Sequence, residues 1–212
     1  RGMLPNRFSD VDGANGEAEF NSVDASLWYV VAVHELCAAR EEAGLGTDPL
    51  DEAALWAAVE AILDGYQLGA RHGIAADADG LLRAGEPGQQ LTWMDARVDG
   101  RVITPRIGKP VEVQALWINA LAIGERRDWR WRKAYRLAVR SFLARFWDER
   151  AHGLYDVVDV DHVPGKVDDT LRPNQILAVG GLPLRLVSGV RARMIVDTVE
   201  QALWTPLGLR SL

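Results

Sequence analysis

The sequence predicts an all-α fold in which pairs of helices alternate with long loops. Apolar residues recur at i, i+3 and i+4 in several stretches, which is the period of a helix with one buried face. Short turns lie within the helix pairs, whereas longer Gly- and Asp-rich segments separate the pairs. Because 212 residues with 48% hydrophobic content are enough for one large core, we expect a single domain over residues 1–212.

Local signals mark the starts of the predicted helices. The second helix has Asp51 near its first turn, where the helix dipole favours an acid, and the turn GLGTDPLD joins it to the first helix as an αα-hairpin. The third helix follows Pro110, a residue favoured at helix starts. The predicted helices cover residues 26–40, 52–72, 111–124, 129–149, 173–179 and 188–203.

Two long segments interrupt these helices. Residues 73–109 contain short strand-like pieces at 80–83 and 98–102, and residues 151–173 form a second irregular stretch. Loops of this length between helix pairs are a common place for functional residues.

The alternation of short turns and long loops is typical of an α/α toroid, in which the loops at one end of a ring of helices form a pocket. A helical bundle would have short loops at both ends. A superhelical repeat protein would give the same alternation, but we find no fixed repeat period. We therefore expect an α/α toroid with the long loops and short strands at one end.

Charge and composition exclude several partners. The net charge of −6 argues against nucleic acid, since phosphate binding needs clustered cations. The basic cluster over residues 126–150 is the exception; its apolar residues recur at helical spacing, which favours a packed helix with a solvated basic face over a surface for nucleic acid or an acidic partner. No apolar run is long enough to cross a bilayer and no signal peptide is recognisable, so we expect no membrane contact.

Neither a metal nor a cofactor is predicted. Cys37 is the single cysteine, which excludes an internal disulfide, fits a reducing compartment and leads us to expect a cytoplasmic protein. His34 lies three residues before it, but no second pair of ligands accompanies them. The acidic loop lacks EF-hand spacing, so we expect it to be solvated. Its aspartates are Asp156, Asp159, Asp161, Asp168 and Asp169.

The strongest candidate site lies between Leu91 and Leu121. Asp95 follows Trp93 in a Gly-rich, helix-poor segment, and an apolar ring beside an acid both holds sugars and raises a carboxyl pKa for proton donation. Glu112 falls in the first turn of the next predicted helix, which we take as amphipathic; the helix dipole there favours its charged form.

Six segments follow one another along the chain: GMLPNRF (2–8), FNSVDASLWYV (20–30), DGLLRAGEPGQQLTWMDA (79–96), GKPVEVQALWINAL (108–121), LRPNQILAV (171–179) and TPLGLRSL (205–212). Together they resemble the C-terminal amylo-α-1,6-glucosidase domain of glycogen debranching enzymes. Weaker variants of two of them occur in neutral invertases and other glucoamylase-like hydrolases. The resemblance implies an (α/α)6 barrel and a hydrolase that cleaves the α-1,6 branch linkages of a branched α-glucan or oligosaccharide with inversion.

The resemblance also implies roles for individual residues. Asp95 matches the general acid, the proton donor that an inverting glycosidase pairs with a carboxylate base about 6.5 to 9.5 Å away. Glu112 and Gln114 match pocket residues, although Glu112 alternatively only caps its helix. Asp24 matches a residue that faces the sugar pocket, and capping of the first helix is compatible with that role.

Other polar residues in the matching segments carry donors that can bind sugar hydroxyls. Structural hydrogen bonds between loops are an equally good explanation for each of them. Trp93, in a loop beside the acid, is the best candidate for stacking on a sugar, whereas Trp28 and Trp117 lie in helical apolar stripes and fit a core role. The further candidates for sugar binding are Asn6, Arg7, Arg172, Asn174 and Gln175.

The chain departs from the family pattern at both ends. We expect it to begin after the first helices of the barrel and to end before the second catalytic carboxylate, so that about six of twelve helices are present. An incomplete toroid leaves apolar faces uncovered, which predicts self-association and little or no activity of the isolated chain. Two alternatives remain: a non-catalytic toroid that binds glycans or acts as a scaffold, and a helical interaction protein of the repeat type.

Overall fold

Five α-helices form most of the core in the computed structural model, which describes residues 2–8, 18–46 and 49–211. Short 3₁₀ segments lie at Trp129–Trp131, Val160–His162 and Pro173–Ala178. The α-helices are α1 (Ala25–Glu42), α2 (Pro49–Leu68), α3 (Val111–Arg127), α4 (Arg132–Arg145) and α5 (Gly189–Leu203).

The predicted helices are all found, with differences at their ends. Helix α2 ends at Leu68, four residues early, because Gly69 has a positive φ of 120° that ends a right-handed helix. The segment predicted as a helix over 173–179 is a 3₁₀ helix instead of an α-helix. Helix α1 begins after Asp24, but its first free N–H, from Ala25, donates to the Ser22 hydroxyl at 3.1 Å instead of to an Asp24 oxygen.

Eleven two-residue strands lie in the described part of the long loops and at the C-terminal end. The predicted strand at 98–102 is a hairpin, β3 with β4, that turns at Asp99 and Gly100, both with positive φ. All pairings are antiparallel. The strands are β1 (Ala75–Ala76), β2 (Leu82–Arg83), β3 (Arg97–Val98), β4 (Arg101–Val102), β5 (Lys109–Pro110), β6 (Trp147–Asp148), β7 (Gly153–Leu154), β8 (Val157–Val158), β9 (Val167–Asp168), β10 (Trp204–Thr205) and β11 (Gly208–Leu209).

Helix α3 is the central element of the core. It packs against α1, α2, α4 and the 3₁₀ helix Pro173–Ala178. Every residue from 111 to 121 is buried, so the first three turns of the helix are enclosed on all sides, and the expectation of an amphipathic helix is wrong for them. In the last turn Arg126 and Arg127 are exposed. Trp117, fully buried, donates its indole N–H to the Gly80 carbonyl at 3.1 Å and confirms the core role predicted for it.

Hydrogen bonds between the long loops gather them at one end of the helices. The Val23 N–H, just before α1, donates to the Leu91 carbonyl at 2.8 Å. Strand β5, which leads into α3, pairs with β8 of the second loop, and β8 pairs with β9. The architecture is therefore a helix-rich domain with strand-bearing loops together at one end; the described residues do not form a complete ring.

No helix in the described ranges is long and apolar enough to cross a membrane.

Candidate active site

A buried group of charged side chains lies where the two long loops meet. Arg106 is at its centre, with a side chain only 1% exposed. One edge of its guanidinium binds both carboxylate oxygens of Glu112, with 2.6 Å from Nη2 to Oε2. Its Nε and Nη2 donate to the two oxygens of Asp156 at 2.8 and 2.9 Å. Such forked pairing fixes both position and orientation.

Asp156 joins this arginine to a second one. Its Oδ2 accepts from Arg172 Nη1, and its Oδ1 accepts from the Asn174 amide at 3.0 Å. Arg172 Nη1 also donates to Asp168 at 3.0 Å, while the buried Arg172 Nε–H has no hydrogen-bond partner among the described residues. We call Arg106, Glu112, Asp156, Arg172 and Asn174 the arginine–carboxylate cluster.

Backbone pairing brings the members of this cluster together. Glu112 is in the first turn of α3, where the Val111 N–H donates to the Asp156 carbonyl at 2.9 Å. The Asp156 N–H in turn donates to the Asp168 carbonyl at 2.8 Å. Strand β8 therefore places Asp156 between the start of α3 and the segment that leads to Arg172.

Burial sets the electrostatics of the cluster. Burial raises the pKa of Glu112, and the Arg106 guanidinium opposes that shift. Burial alone would lower the pKa of Arg106, but the carboxylates of Glu112 and Asp156 outweigh it and raise that pKa. Arg106 is therefore a fixed cation between two acids.

The cluster tethers Trp93, the ring predicted to stack on sugar. Asn174 accepts from the Trp93 indole N–H at 3.2 Å while its own amide N–H groups contact Asp156 and the sulfur of Met94. Trp93 is 51% exposed although its N–H is held, so it presents an open aromatic surface in a fixed place. Met94 is buried beneath the loop.

Asp95 follows directly and is exposed. No side chain in the described ranges hydrogen-bonds or ion-pairs with its carboxylate. The apolar enclosure expected from Trp93 and Met94 is therefore not found: Met94 points inward, and Asp95 faces solvent. The exposed Asp95 carboxyl is therefore two residues along the same loop from the held indole ring.

Two residues predicted to bind sugar use their amides inside the protein. Gln114 is fully buried; its amide accepts from the Leu82 N–H and donates to the Leu82 carbonyl, both at 2.8 Å. Gln175 accepts from the Leu154 N–H at 2.9 Å and donates to the Arg172 carbonyl at 3.3 Å. The contacts of Gln175 fit the alternative of hydrogen bonds between loops, and those of Gln114 join α3 to strand β2. A sugar contact from either residue stays a prediction.

The remaining candidates lie near the start of α1. Asp24 is half-buried and accepts from the Ser22 hydroxyl at 2.5 Å. Asn6 accepts from the Asn21 N–H at 3.3 Å, and the exposed Arg7 forms a β-bridge with Glu19. The Val23–Leu91 bond links this segment to the loop of Trp93, so these candidates share one end of the fold with Asp95.

A second ion-pair network reinforces the same end. Lys109, on β5, binds Asp79 at 3.0 Å and Asp159 at 2.9 Å, and Arg145 at the end of α4 binds the same two aspartates. These contacts, with the backbone N–H of Gly165, outweigh burial and lower the pKa of Asp159 to about 2.

The expectation that the aspartates of the loop 156–169 are solvated is therefore wrong for Asp156 and Asp159, which are 2% and 8% exposed. Their partners, Arg106 and Lys109, lie 50 residues earlier in the chain, where no local pattern singles them out. No group of three or more His, Cys, Asp or Glu side chains in the described ranges is arranged to hold a metal ion.

Comparison with solved structures shows which known fold the chain shares. The chain is similar to a GH78 family rhamnosidase of Bacillus sp. GL1, with a TM-score of 0.64 and 18% identity over 95% of this chain and 19% of that one. It is also similar to a rhamnosidase from Klebsiella oxytoca with rhamnose bound, with a TM-score of 0.61 and 14% identity over 95% of this chain and 34% of that one. The fold is therefore one found in glycoside hydrolases, and the chain spans a fifth to a third of their length.

No curated protein sequence matches the chain. The family model for amylo-alpha-1,6-glucosidase matches residues 1–212. The chain belongs to this family, which confirms the resemblance drawn from its motifs and identifies it as a glycosidase-type domain.

Proposed function

We propose that this domain hydrolyses α-1,6-glucosidic branch linkages of an α-glucan with inversion, and that Asp95 is the general acid. The observation that carries the proposal is the tethered Trp93: a half-exposed indole whose N–H is held by Asn174, with an exposed carboxyl two residues further on. Membership of the amylo-alpha-1,6-glucosidase family supports the linkage.

The proposed mechanism assigns a separate task to each group. The Trp93 ring covers the apolar face of a glucose residue and orients its glycosidic oxygen toward Asp95. Asp95 protonates that oxygen as the bond breaks, and a carboxylate on the opposite face activates water. Protonated Asp95 must be restored in each cycle, which solvent exposure permits.

The arginine–carboxylate cluster supports the site in this proposal. Glu112 and Asp156 are held in forked pairs by Arg106, so neither is free to activate water. Asp156 also accepts from the Asn174 amide and so positions it, and Asn174 in turn positions Trp93. Direct contacts of sugar with Asn6, Arg7, Asp24 or other candidates are part of the same proposal and follow from their place at this end of the fold.

The test compares Asp95→Asn with Asp99→Asn. Both positions are exposed and lie in one loop, and Asp99 has a left-handed φ of 48° that Asn tolerates, so the control matches the charge change without touching the proposed acid. Each variant is made in the 212-residue chain and in the full polypeptide that its gene encodes. Glucose release from a branched limit dextrin is measured, and NMR identifies the anomer released first.

We expect Asp95→Asn to lower turnover by about 10² to 10⁴-fold and Asp99→Asn to leave it unchanged. Release of the β-anomer supports inversion. Turnover that survives Asp95→Asn would refute the assignment of the acid. Activity of the 212-residue chain alone would refute the expectation from its motifs that this chain has little or no activity.

A second candidate is a glycan-binding domain without catalysis. One observation favours it. Both carboxylates of the arginine–carboxylate cluster, Glu112 and Asp156, are paired with Arg106, so among the described residues this cluster offers no free carboxylate as a partner for Asp95. This candidate predicts binding of isomaltose in calorimetry that survives Asp95→Asn, with no turnover in either polypeptide. Absence of any sugar affinity would refute both candidates.

A further inference from the structure

A cleft of about 490 Å³ lies on the exposed face of α4, and none of its lining residues belongs to the candidate active site. It follows the C-terminal end of α3, whereas Glu112 lies at the other end of that 17-residue helix. At 1.5 Å per residue the two ends are about 25 Å apart. The cleft is lined by Trp129, Arg130, Arg132, Lys133, Arg136, Leu137 and Arg140.

The five cations of this cleft are not all neutralised. Arg130 pairs with Asp64 and Asp128, and Arg132 pairs with Glu125. The other three, Lys133, Arg136 and Arg140, are exposed, and within the described ranges no carboxylate pairs with any of them. The chain as a whole carries a net charge of −6, whereas the charge of this surface is positive and concentrated in a few neighbouring residues.

Helix geometry places these three cations on one stripe. Residues 133, 136, 137 and 140 are three or four apart and therefore share a face of α4. Leu137 lies between the cations, and Trp129, which is 78% exposed, lies at the start of the same stripe. Cations around an exposed indole combine the two recognition elements of an anionic sugar: charge for the anion and an aromatic face for the pyranose.

We propose that this cleft binds a phosphorylated saccharide. Arg136 and Arg140 bind the phosphate with their guanidinium forks, Lys133 adds a third positive charge, and Trp129 packs against the sugar ring. The volume is that of a small-molecule site and fits one or two sugar residues. The ligand is either a free sugar phosphate or a phosphate ester on a glucan chain, and both offer the same chemistry to the cleft.

Calorimetry on the 212-residue chain tests the proposal with four probes: glucose 6-phosphate, a phosphorylated maltodextrin, glucose and inorganic phosphate. We expect both phosphorylated sugars to bind more tightly than glucose or phosphate. Tighter binding of glucose 6-phosphate would identify a free sugar phosphate as the ligand, and tighter binding of the maltodextrin would identify a phosphate ester on a glucan chain. Arg136→Gln and Arg140→Gln should each weaken binding about tenfold or more. Arg193→Gln, an exposed arginine of α5, is the matched control and should change nothing.

Trp129→Ala separates the two parts of the proposal. It should weaken binding of glucose 6-phosphate severalfold and leave binding of inorganic phosphate unchanged. If phosphate and glucose 6-phosphate bind equally well and Trp129→Ala changes neither, the proposal that the ligand is a saccharide would be overturned. Binding of polyglutamate or of an oligonucleotide without binding of either sugar phosphate would overturn it as well, as would no binding of any probe.

This inference does not rest on hydrolysis at Asp95. Sugar phosphates should bind the cleft equally well in Asp95→Asn. If the proposed hydrolysis is refuted, the calorimetric result is therefore unaffected, and if the cleft does not bind sugar phosphates, the turnover assay is unaffected.

Discussion

Replacing Asp156 by Asn tests whether the arginine–carboxylate cluster holds the long loops in place. The Asp156 side chain is 1% exposed, and its oxygens accept from Arg106, Arg172 and Asn174. An amide keeps the size but removes the charge, and it turns one acceptor into a donor that faces guanidinium N–H groups. Removing one partner of a buried ion pair costs about 3–5 kcal/mol. We therefore expect a loss of about 3 kcal/mol or more from the free energy of unfolding, against a typical total of about 5–15 kcal/mol.

Urea unfolding at pH 7, followed by far-UV circular dichroism and by tryptophan fluorescence, measures this loss. The control is Asp161→Asn in the same loop, whose carboxylate is 54% exposed and pairs with Lys166 at the surface. It should change the free energy of unfolding by less than about 1 kcal/mol. If Asp156→Asn costs no more than this control, the cluster does not hold the loops and the reasoning from burial is wrong.

Three further predictions concern stability and association. The pKa of Asp159 is held at about 2, below its ordinary 3.8. Its ionised form therefore contributes about 2 kcal/mol to the free energy of unfolding above pH 4, and this contribution is lost as the pH falls toward 2. Urea titrations should show Asp159→Asn less stable than the wild type at pH 7, with the difference closing toward pH 2. Gly108→Ala should cost about 2 kcal/mol or more in thermal unfolding, because Gly108 has φ 129° and its added Cβ would lie 2.6 Å from the Asp159 carbonyl; Gly165→Ala, with φ 80° and open space, should cost less. Trp204 and Leu207, 66% and 100% exposed on the C-terminal hairpin, should promote self-association; light scattering after size exclusion should show an oligomer that their replacement by Ser dissociates, and a wild-type monomer at all concentrations would refute this.

The positions of the helices were predictable because their signals are local. Helices α1 and α3 begin within one residue of the predicted start, where an apolar period follows a turn or a proline. Helix α2 ends early because backbone conformation at Gly69 decides the end, and apolar spacing does not report that conformation. The burial of α3 on all sides was not predictable either, since it depends on α1, α2 and α4 packing around it.

The candidate site was predictable only where its residues are neighbours in the sequence. Trp93 and Asp95 are two residues apart, and their pairing is visible in a short motif. Arg106 and Asp156 are 50 residues apart, and a string of five aspartates in a Gly-containing loop looks the same whether it is solvated or buried against arginine. The exposure of Asp95 likewise depends on Met94 turning inward, which hydrophobicity alone does not decide.

The two ion-pair networks also have a consequence for how the domain folds. Arg106 meets Asp156, and Lys109 meets Asp159, across 50 residues of chain, so these two contacts form only after α3 and α4 are closed between them. The loop of Trp93 should therefore order late, and amide hydrogens such as that of Val111, which donates to the Asp156 carbonyl, should exchange together with those of β8 as one cooperative unit. The exposed ring of Trp93 is thus held in place only in molecules whose core is already complete, so under the proposed function partly folded chains would not compete for the sugar.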